Sequence, residues 1–263
     1  MVDLSERKTF AVSLAHEAGA LALDYFSRKE ALVVDQKGAQ DWVSEADRNV
    51  EIFVREKIEA AFPDDGIVGE EHAPKAGTSG FDWVIDPIDG TTNFVNGIPA
   101  WTIVLAVVSD RKTQIGIIYE PNVNETYVAV RGQGVTLNDQ PISVAKGVAL
   151  TSGTVSVGYS NRVEASNVLP VITALVERGA LYHRNASGAL SLAYVAAGRL
   201  LGYVEEHMNA WDCLAAQLMI AEAGGVIEDQ DAQAMIRTGG RVIAGTPEVF
   251  DTLKAICEDA WRE

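Results

Sequence analysis

Two aspartates, Asp86 and Asp89, stand at the end of a predicted strand and are the residues of this chain best placed to do chemistry. Apolar side chains alternate over residues 81–85, which predicts a strand with one buried face. Because Pro87 fixes φ and has no N–H, we expect the chain to leave the sheet there. Both carboxylates should then emerge at one strand end, beside the carbonyl of Ile88.

More oxygen atoms follow in the hydroxyls of Thr91 and Thr92. Hard oxygen ligands crowded at one strand end are those that Mg²⁺ prefers. The backbone N–H groups after Gly90, at a predicted helix start, suit a phosphate. The run from Trp83 to Phe94 therefore indicates a metal-dependent phosphate site, although Asp, Pro and Gly are also common in ordinary turns.

Other acidic side chains lie in three distant segments. Glu70 and Glu71 follow a helix exit and a short strand, and Asp212 opens a helical run that closes near residue 225. Ser44 and Asp47 precede another helix. Each segment also has a purely structural interpretation. Glu70 and Glu71 fit a solvated pair, Asp212 fits an N-cap, and Ser44 with Asp47 fits a capping box.

The elements that must position these residues divide into two stretches. Helical spacing predicts amphipathic helices over residues 5–27 and 45–61, with a short strand at 31–34 and a loop at Lys37–Gly38 between them. From residue 81 strand patterns dominate, and the apolar segment 101–108 is predicted to be buried on both faces. Strands at 114–119 and 125–130 follow, which indicates an antiparallel meander.

The second stretch alternates between helix and strand, which is typical of an α/β arrangement. Strands are predicted at 154–157, 180–182, 200–204, 225–227 and 242–244, and helices at 166–178, 187–198, 212–223 and 247–261.

The string from Trp83 to Phe94 resembles the signature of the inositol monophosphatase family, within the lithium-sensitive, Mg²⁺-dependent sugar phosphatases. Together with this string, the other acidic segments match the family's motifs in the same order along the chain, from near residue 37 to residue 225. The resemblance implies a layered αβαβα sandwich of the inositol monophosphatase and fructose-1,6-bisphosphatase type, in the mixed α/β (α+β) class. We expect an N-terminal α+β half over 1–145, a C-terminal α/β half over 146–263 that completes the site, and a homodimer.

The resemblance also implies a cofactor of two or three Mg²⁺ ions. Glu70, Asp86 and the Ile88 carbonyl correspond to the ligands of the first ion. Asp86, Asp89 and Asp212 correspond to those of the second. Four such carboxylates repel one another without metal, which raises some of their pKa values.

Catalytic and phosphate-binding roles follow from the same resemblance. Thr91, with Asp47, corresponds to the pair that orients and deprotonates the attacking water, and Glu70 is expected to share in catalysis. The backbone N–H groups of Gly90 and Thr91 correspond to phosphate donors. Lys37 matches a family lysine near the site, although an exposed loop lysine is the simpler interpretation.

Substrate-binding residues are implied in the second half. Ser187, Gly188 and Ala189 occupy the positions of a helix-start segment, and Glu205 matches a glutamate seven positions before Asp212. A carboxylate at Glu205 suits sugar hydroxyls, and Asp212 is also expected to contact substrate.

The alcohol half of the substrate stays open at this point. The implied activity is that of an inositol-1-phosphate-like phosphoric monoester hydrolase, with histidinol phosphate or another sugar phosphate as the alternative. His207 and Asn209 depart from the loop common in inositol-preferring members and are candidate contacts to a different alcohol. A regulatory adaptor that binds transcription machinery is the alternative of another class, because some relatives have that role.

Composition limits the partners. The formal net charge of −16 argues against direct contact with nucleic acid, which needs clustered Lys and Arg. No apolar run has the length of a membrane span, and the acidic N-terminus does not resemble a signal peptide. Two cysteines cannot form a disulfide framework. We therefore expect a cytoplasmic protein, and the family resemblance implies that its partner is a small phosphomonoester.

Overall fold

The computed structural model describes residues 4–28, 33–38, 41–160 and 162–261, with the side chains of 36–38 and 41–43 left out of the description. Within these residues the chain forms a seven-stranded sheet, a five-stranded sheet and a two-stranded hairpin, with helices between and outside them. None of the helices in the described part combines the length and hydropathy of a membrane span.

The first stretch supplies two helices and the large sheet. Its elements are α1 (Ser5–Ser27), β1 (Val34–Gly38), β2 (Asp41–Ser44), α2 (Glu45–Ala61), β3 (Gly66–Gly69), β4 (Phe81–Asp89), α3 (Thr91–Asn96), β5 (Thr102–Ser109), β6 (Lys112–Glu120), β7 (Glu125–Val130), β8 (Gly134–Leu137) and β9 (Gln140–Pro141). The two long helices have the bounds that periodicity predicts. The large sheet has the order β3-β4-β5-β6-β7-β8-β9, with β3 parallel to β4 and every other pair antiparallel.

The second stretch supplies the smaller sheet. Its elements are β10 (Thr154–Val157), α4 (Ala165–Glu177), β11 (Leu181–His183), α5 (Gly188–Ala196), β12 (Gly202–Met208), α6 (Ala210–Glu222), β13 (Val226–Ile227), α7 (Ala232–Thr238), β14 (Gly240–Gly245) and α8 (Phe250–Ala260). The strand order is β11-β10-β12-β14-β13, with parallel pairing around β10 and antiparallel pairing around β14.

Among the described residues, three apolar cores hold these elements in five layers. Apolar side chains of α1 and α2, such as Leu14 and Val54, pack with Trp83 on one face of the large sheet. Helices α5 and α6 lie between the two sheets, and helices α4 and α8 cover the outer face of the smaller sheet. Each sheet therefore buries both faces against helices, which is the αβαβα order that the family resemblance implies.

Several local predictions were wrong. Strand β4 does not end at Pro87 but continues to Asp89, and both of its faces are buried because helices cover the large sheet on both sides. The first short strand spans Val34–Gly38, so Lys37 and Gly38 lie in it rather than in a loop. Residues 31 and 32 of the predicted strand fall outside the described part of the chain. Helix α7 was not predicted, because its seven residues give too short a periodic signal.

Candidate metal centre and active site

A bulge in β4 brings the two aspartates of the strand end onto one side of the sheet. Asp86 pairs with Val104, but Asp89 pairs with Thr102, so three steps along β4 face two steps along β5. Side chains alternate along a regular strand, which would place residues 86 and 89 on opposite faces. The extra residue reverses the alternation, and Pro87, which has no N–H to pair, lies within it.

Helix α6 brings the third carboxylate to this end of β4. Asp212 lies in the first turn of α6, where its Oδ2 accepts the N–H of Asn209 at 3.0 Å. One carboxylate oxygen each of Asp86, Asp89 and Asp212 lies within 4.8 Å of the other two. Asp86 and Asp89 are buried, at 2% and 7% exposure. The result is a compact all-oxygen donor set, which suits a hard divalent cation.

Burial and mutual repulsion disfavour the ionised form of the carboxylates in this cluster when no cation is bound. Burial, followed by the charges of Glu70, Asp89 and Asp212, raises the pKa of Asp86 well above its usual value. Burial and the charge of Asp89 raise the pKa of Asp212 to about 7, against hydrogen bonds that favour its ionised form. A bound cation would remove this repulsion, so the residues present fit a divalent metal.

Glu70 follows β3 and is half-buried. After burial, its charge is the largest cause that raises the pKa of Asp86, which indicates that the two carboxylates lie close together. Glu70 does not belong to the group of described carboxylates, Asp86, Asp89 and Asp212, whose oxygen atoms lie within 4.8 Å of one another.

Asp47 and Thr91 form the hydrogen-bonded pair that the sequence suggested. The Thr91 hydroxyl lies 2.9 Å from Oδ1 of Asp47 and 3.2 Å from the carbonyl oxygen of Ile88. Oδ2 of Asp47 accepts the Ser44 N–H at 2.8 Å, which forms the predicted capping box at the start of α2. Asp47 is fully buried, and burial raises its pKa to about 6 in spite of these hydrogen bonds.

Gly90 links β4 to α3 through a backbone that disfavours other residues. Its φ is +102°, and an added Cβ would lie 3.0 Å from the carbonyl oxygen of Ala100. Helix α3 begins directly after it without a side-chain cap, so the N–H groups of the first turn, starting at Thr91, are available to an anion.

The segment Ser187–Gly188–Ala189 lies beside the cluster, and its donors point at Asp89. The Ser187 hydroxyl and the Ala189 N–H, at 2.9 Å, both donate to Oδ2 of Asp89, and the Gly188 N–H donates to Oδ1 at 3.2 Å. These donors, at the N-terminus of α5, therefore hold Asp89 in place, a role that the sequence did not predict for them.

Glu205 of β12 lines a cleft of about 150 Å³ together with Asp89, Ser187, Gly188 and Asp212. Its Oε2 accepts the Tyr203 hydroxyl at 2.5 Å, and burial raises its pKa to about 7. Sequence reasoning missed Tyr203, although residues two apart on a strand share a face. The cleft is therefore continuous from the acidic cluster to Glu205.

Two candidates for substrate contact are engaged elsewhere. His207 Nε2 lies 3.1 Å from the carbonyl oxygen of Thr238, and Asn209 is the N-cap of α6. The arginines that line the cleft, Arg162 and Arg184, were not predicted, and their spacing carries no motif. The Lys37 side chain lies outside the described part of the chain.

Comparison with known proteins gives the same family for the whole chain. The model of the inositol monophosphatase family matches residues 3–263. The protein named Nus factor SuhB of Haemophilus influenzae is 34% identical over 245 residues, covering 91% of each chain.

Solved structures share the fold. The extragenic suppressor protein suhB of Bartonella henselae superimposes with a TM-score of 0.91 at 31% identity, over 97% of this chain and 99% of that one. An IMPase of Thermotoga maritima gives a TM-score of 0.86 at 28% identity, over 97% and 98%. A family model that matches nearly every residue, together with a relative above 30% identity along most of its length, establishes the family. This chain belongs to the inositol monophosphatase family.

Proposed function

We propose that this protein is a Mg²⁺-dependent phosphomonoesterase that hydrolyses a small polyol or sugar phosphate, such as inositol 1-phosphate. The observation that carries the proposal is the cluster of Asp86, Asp89 and Asp212 within 4.8 Å, next to the Thr91–Asp47 hydrogen bond. Uncatalysed phosphate monoester hydrolysis is among the slowest reactions, with accelerations up to ~10²¹-fold, and one general base supplies only about 10²–10⁴. The site must therefore combine a base with strong charge stabilisation.

Glu70, Asp86, the Ile88 carbonyl, Asp89 and Asp212 would hold two or three Mg²⁺ ions. When bound, such ions lower the pKa of water and neutralise the charge that develops on phosphate oxygens.

Thr91 and Asp47 would orient and deprotonate the attacking water. With its own proton directed at Asp47, the Thr91 hydroxyl presents lone pairs that accept a hydrogen bond from water. Because the pKa of Asp47 is raised to about 6, this carboxylate can take up a proton near neutral pH.

The reaction is a displacement at phosphorus. The water oxygen forms a bond to phosphorus, the phosphorus–ester oxygen bond breaks, and the alcohol leaves with a proton while inorganic phosphate is released. The N–H groups of Gly90 and Thr91 would hold phosphate oxygens, and Glu205, at the other end of the cleft, would accept hydrogen bonds from hydroxyls of the alcohol.

Phosphate release from a panel of esters tests this proposal. Inositol phosphates, histidinol phosphate, sugar phosphates, glycerol phosphates and phosphoadenosine phosphate are compared by kcat/KM, with and without Mg²⁺. We expect Mg²⁺-dependent turnover that is lost in Asp89→Asn. Failure of every ester, at millimolar Mg²⁺, would contradict the proposal.

A second candidate function comes from the relatives named Nus factor SuhB. Under this alternative the protein is an adaptor that contacts transcription machinery through protein surfaces, because its net charge of −16 disfavours nucleic acid. Binding of purified RNA polymerase to wild type and to Asp89→Asn separates the two functions. Equal binding by both, with no turnover of any ester by wild type, would favour the adaptor.

We also propose, from the family resemblance, a cytoplasmic homodimer inhibited by lithium. Size-exclusion chromatography with light scattering measures the mass in solution. Turnover measured against increasing LiCl, with matched NaCl as the control, tests the inhibition.

A further inference from the structure

We propose that Glu51 of α2 is a positioning residue that fixes Glu70 for metal binding. The inference rests on the proposed function, in which Glu70 is a metal ligand. Glu51 is fully buried, although a carboxylate is among the groups least often found without exposure. Its surroundings explain why a charge is kept there.

Glu51 binds the backbone directly after Glu70. Its Oε2 accepts the N–H of Glu71 at 2.7 Å, and its Oε1 accepts the N–H of His72 at 3.2 Å. Hydrogen bonds to an ionised acceptor are shorter and stronger than neutral ones. The two peptide groups that follow Glu70 are therefore held by one side chain of a neighbouring helix.

The backbone directly before Glu70 touches the same carboxylate. An added Cβ at Gly69 would lie 2.2 Å from Oε1 of Glu51 and 2.4 Å from its Cδ, so any larger residue at the end of β3 would displace this carboxylate. Glu51 thus contacts the chain on both sides of Glu70, which limits where the Glu70 side chain can be placed.

Arg55 orients the Glu51 carboxylate and holds the same loop. Its Nε lies 2.7 Å from Oε1 of Glu51, one helical turn away, and its Nη2 donates to the carbonyl oxygen of His72 at 3.1 Å. Arg55 is 12% exposed, so the pair is shielded from water. The guanidinium therefore balances the buried charge and closes the loop after Glu70 against α2.

The chemistry requires a carboxylate rather than an amide. Both oxygens of Glu51 accept hydrogen bonds, from two backbone N–H groups and one guanidinium. In Glu51→Gln one of these oxygens becomes an NH₂ group that faces a donor, which leaves a buried donor unsatisfied. The volume is unchanged, so the substitution alters the hydrogen bonding and leaves the packing in place.

The test is the dissociation constant of Mg²⁺, measured by calorimetric titration of metal-free protein at 25 °C. Loss of a residue that orients a metal ligand typically costs about 10- to 100-fold in metal affinity. We expect a rise of this size in the Mg²⁺ Kd of Glu51→Gln. An Mg²⁺ Kd equal to that of wild type would overturn the inference.

Asp65→Asn is the matched control. Asp65 is also a buried carboxylate held by an arginine, Arg7, but it lies at the opposite end of β3 from Glu70. We expect Asp65→Asn to lower the melting temperature and to leave the Mg²⁺ Kd unchanged. A Kd raised as much as in Glu51→Gln would show that general loss of stability explains both variants, and would also overturn the inference.

A double-mutant cycle separates this inference from the proposed function. If Glu51 acts through Glu70, Glu51→Gln has no further effect on Mg²⁺ binding in a Glu70→Gln background, and an undiminished effect there contradicts the inference. An Mg²⁺ Kd unchanged by Glu70→Gln alone would refute the assigned role of Glu70. If Glu51→Gln does not fold, Arg55→Gln replaces it, with an expected increase in Kd of up to about 10-fold and an unchanged Kd as the contrary result.

Discussion

Replacing Asp212 by Asn is expected to stabilise the metal-free protein and to weaken its response to Mg²⁺. Asn has nearly the same shape and keeps an oxygen that accepts the Asn209 N–H, so the start of α6 is preserved. What the substitution removes is one negative charge from the cluster with Asp86 and Asp89. The same carboxylate therefore costs stability without metal and contributes to it with metal.

The magnitude follows from the pKa of Asp212, which rises from 3.8 to about 7 on folding, first through burial and then through the charge of Asp89. At 1.36 kcal/mol per pKa unit, three units correspond to at most about 4 kcal/mol. Asp212 is half-buried, so water screens part of the repulsion, and we expect ~2 kcal/mol.

The sign of the pH dependence is fixed by the order of the two pKa values. Between pH 4 and 7 the folded protein keeps a proton on Asp212 that the unfolded chain releases, so the folded state binds more protons. The contribution of Asp212 to the free energy of unfolding is therefore largest below pH 4 and declines as the pH rises to about 7. In Asp212→Asn this decline is absent.

Urea unfolding at pH 5, 6, 7 and 8, with EDTA or with excess Mg²⁺, measures both effects. At pH 8 we expect Asp212→Asn to be more stable than wild type in EDTA and less stable in Mg²⁺. Wild type gains about 2.7 kcal/mol when Mg²⁺ is 100 times its Kd. Asp251→Asn, an exposed aspartate in the first turn of α8, is the control and should behave as wild type. A lower stability of Asp212→Asn than of wild type in EDTA at pH 8 would show that the charge of Asp212 does not destabilise the metal-free protein.

Three further substitutions probe other parts of the site and the core. Asp89→Asn should abolish turnover, and activity within a few-fold of wild type would exclude a metal role for Asp89. The same substitution should lower the free energy of unfolding by about 1–3 kcal/mol, because an NH₂ group would face the donors at the start of α5. Thr91→Val removes the hydroxyl that bonds to Asp47 and should lower kcat by about 10²–10⁴ with an unchanged Mg²⁺ Kd, so a kcat equal to that of wild type would rule out water activation by this pair. Burial raises the pKa of Asp65, but its hydrogen bonds, first of all the one from Arg7, outweigh burial and hold this pKa below its usual value. The stabilising effect of the Asp65 carboxylate is therefore present above about pH 4 and is lost in acid. Asp65→Asn should therefore cost about 3–5 kcal/mol at pH 7 and less at pH 3, and an equal loss at both pH values would refute the ionic explanation.

Much of the fold follows from local patterns in the sequence. Helices α1 and α2 and strands β7 and β10 have the predicted bounds, because apolar residues recur there at helical spacing or group into short strands between turn residues. The Ser44–Asp47 capping box is likewise a property of four adjacent residues. Where the geometry depends on a single element, the sequence is sufficient to predict it.

Contacts between distant residues were decided only by the tertiary structure. The bulge that turns Asp89 toward Asp86 depends on pairing with β5, and local rules ended the strand at Pro87 instead. Ala189 lies 100 positions along the chain from Asp89 and is predicted from the sequence as a substrate contact, but in the structure its N–H donates to Asp89. Glu51 has the pattern of an ordinary helix residue, yet it binds the loop that carries Glu70.

The order of the carboxylates, the threonine and the glycines along the sequence was enough to identify the family and to name the side chains that we propose carry the chemistry. The tertiary structure decided which of their oxygen atoms face one another and which are already occupied by hydrogen bonds. Periodicity records how each segment is buried, whereas the positions of atoms from different segments depend on how helices and sheets pack together.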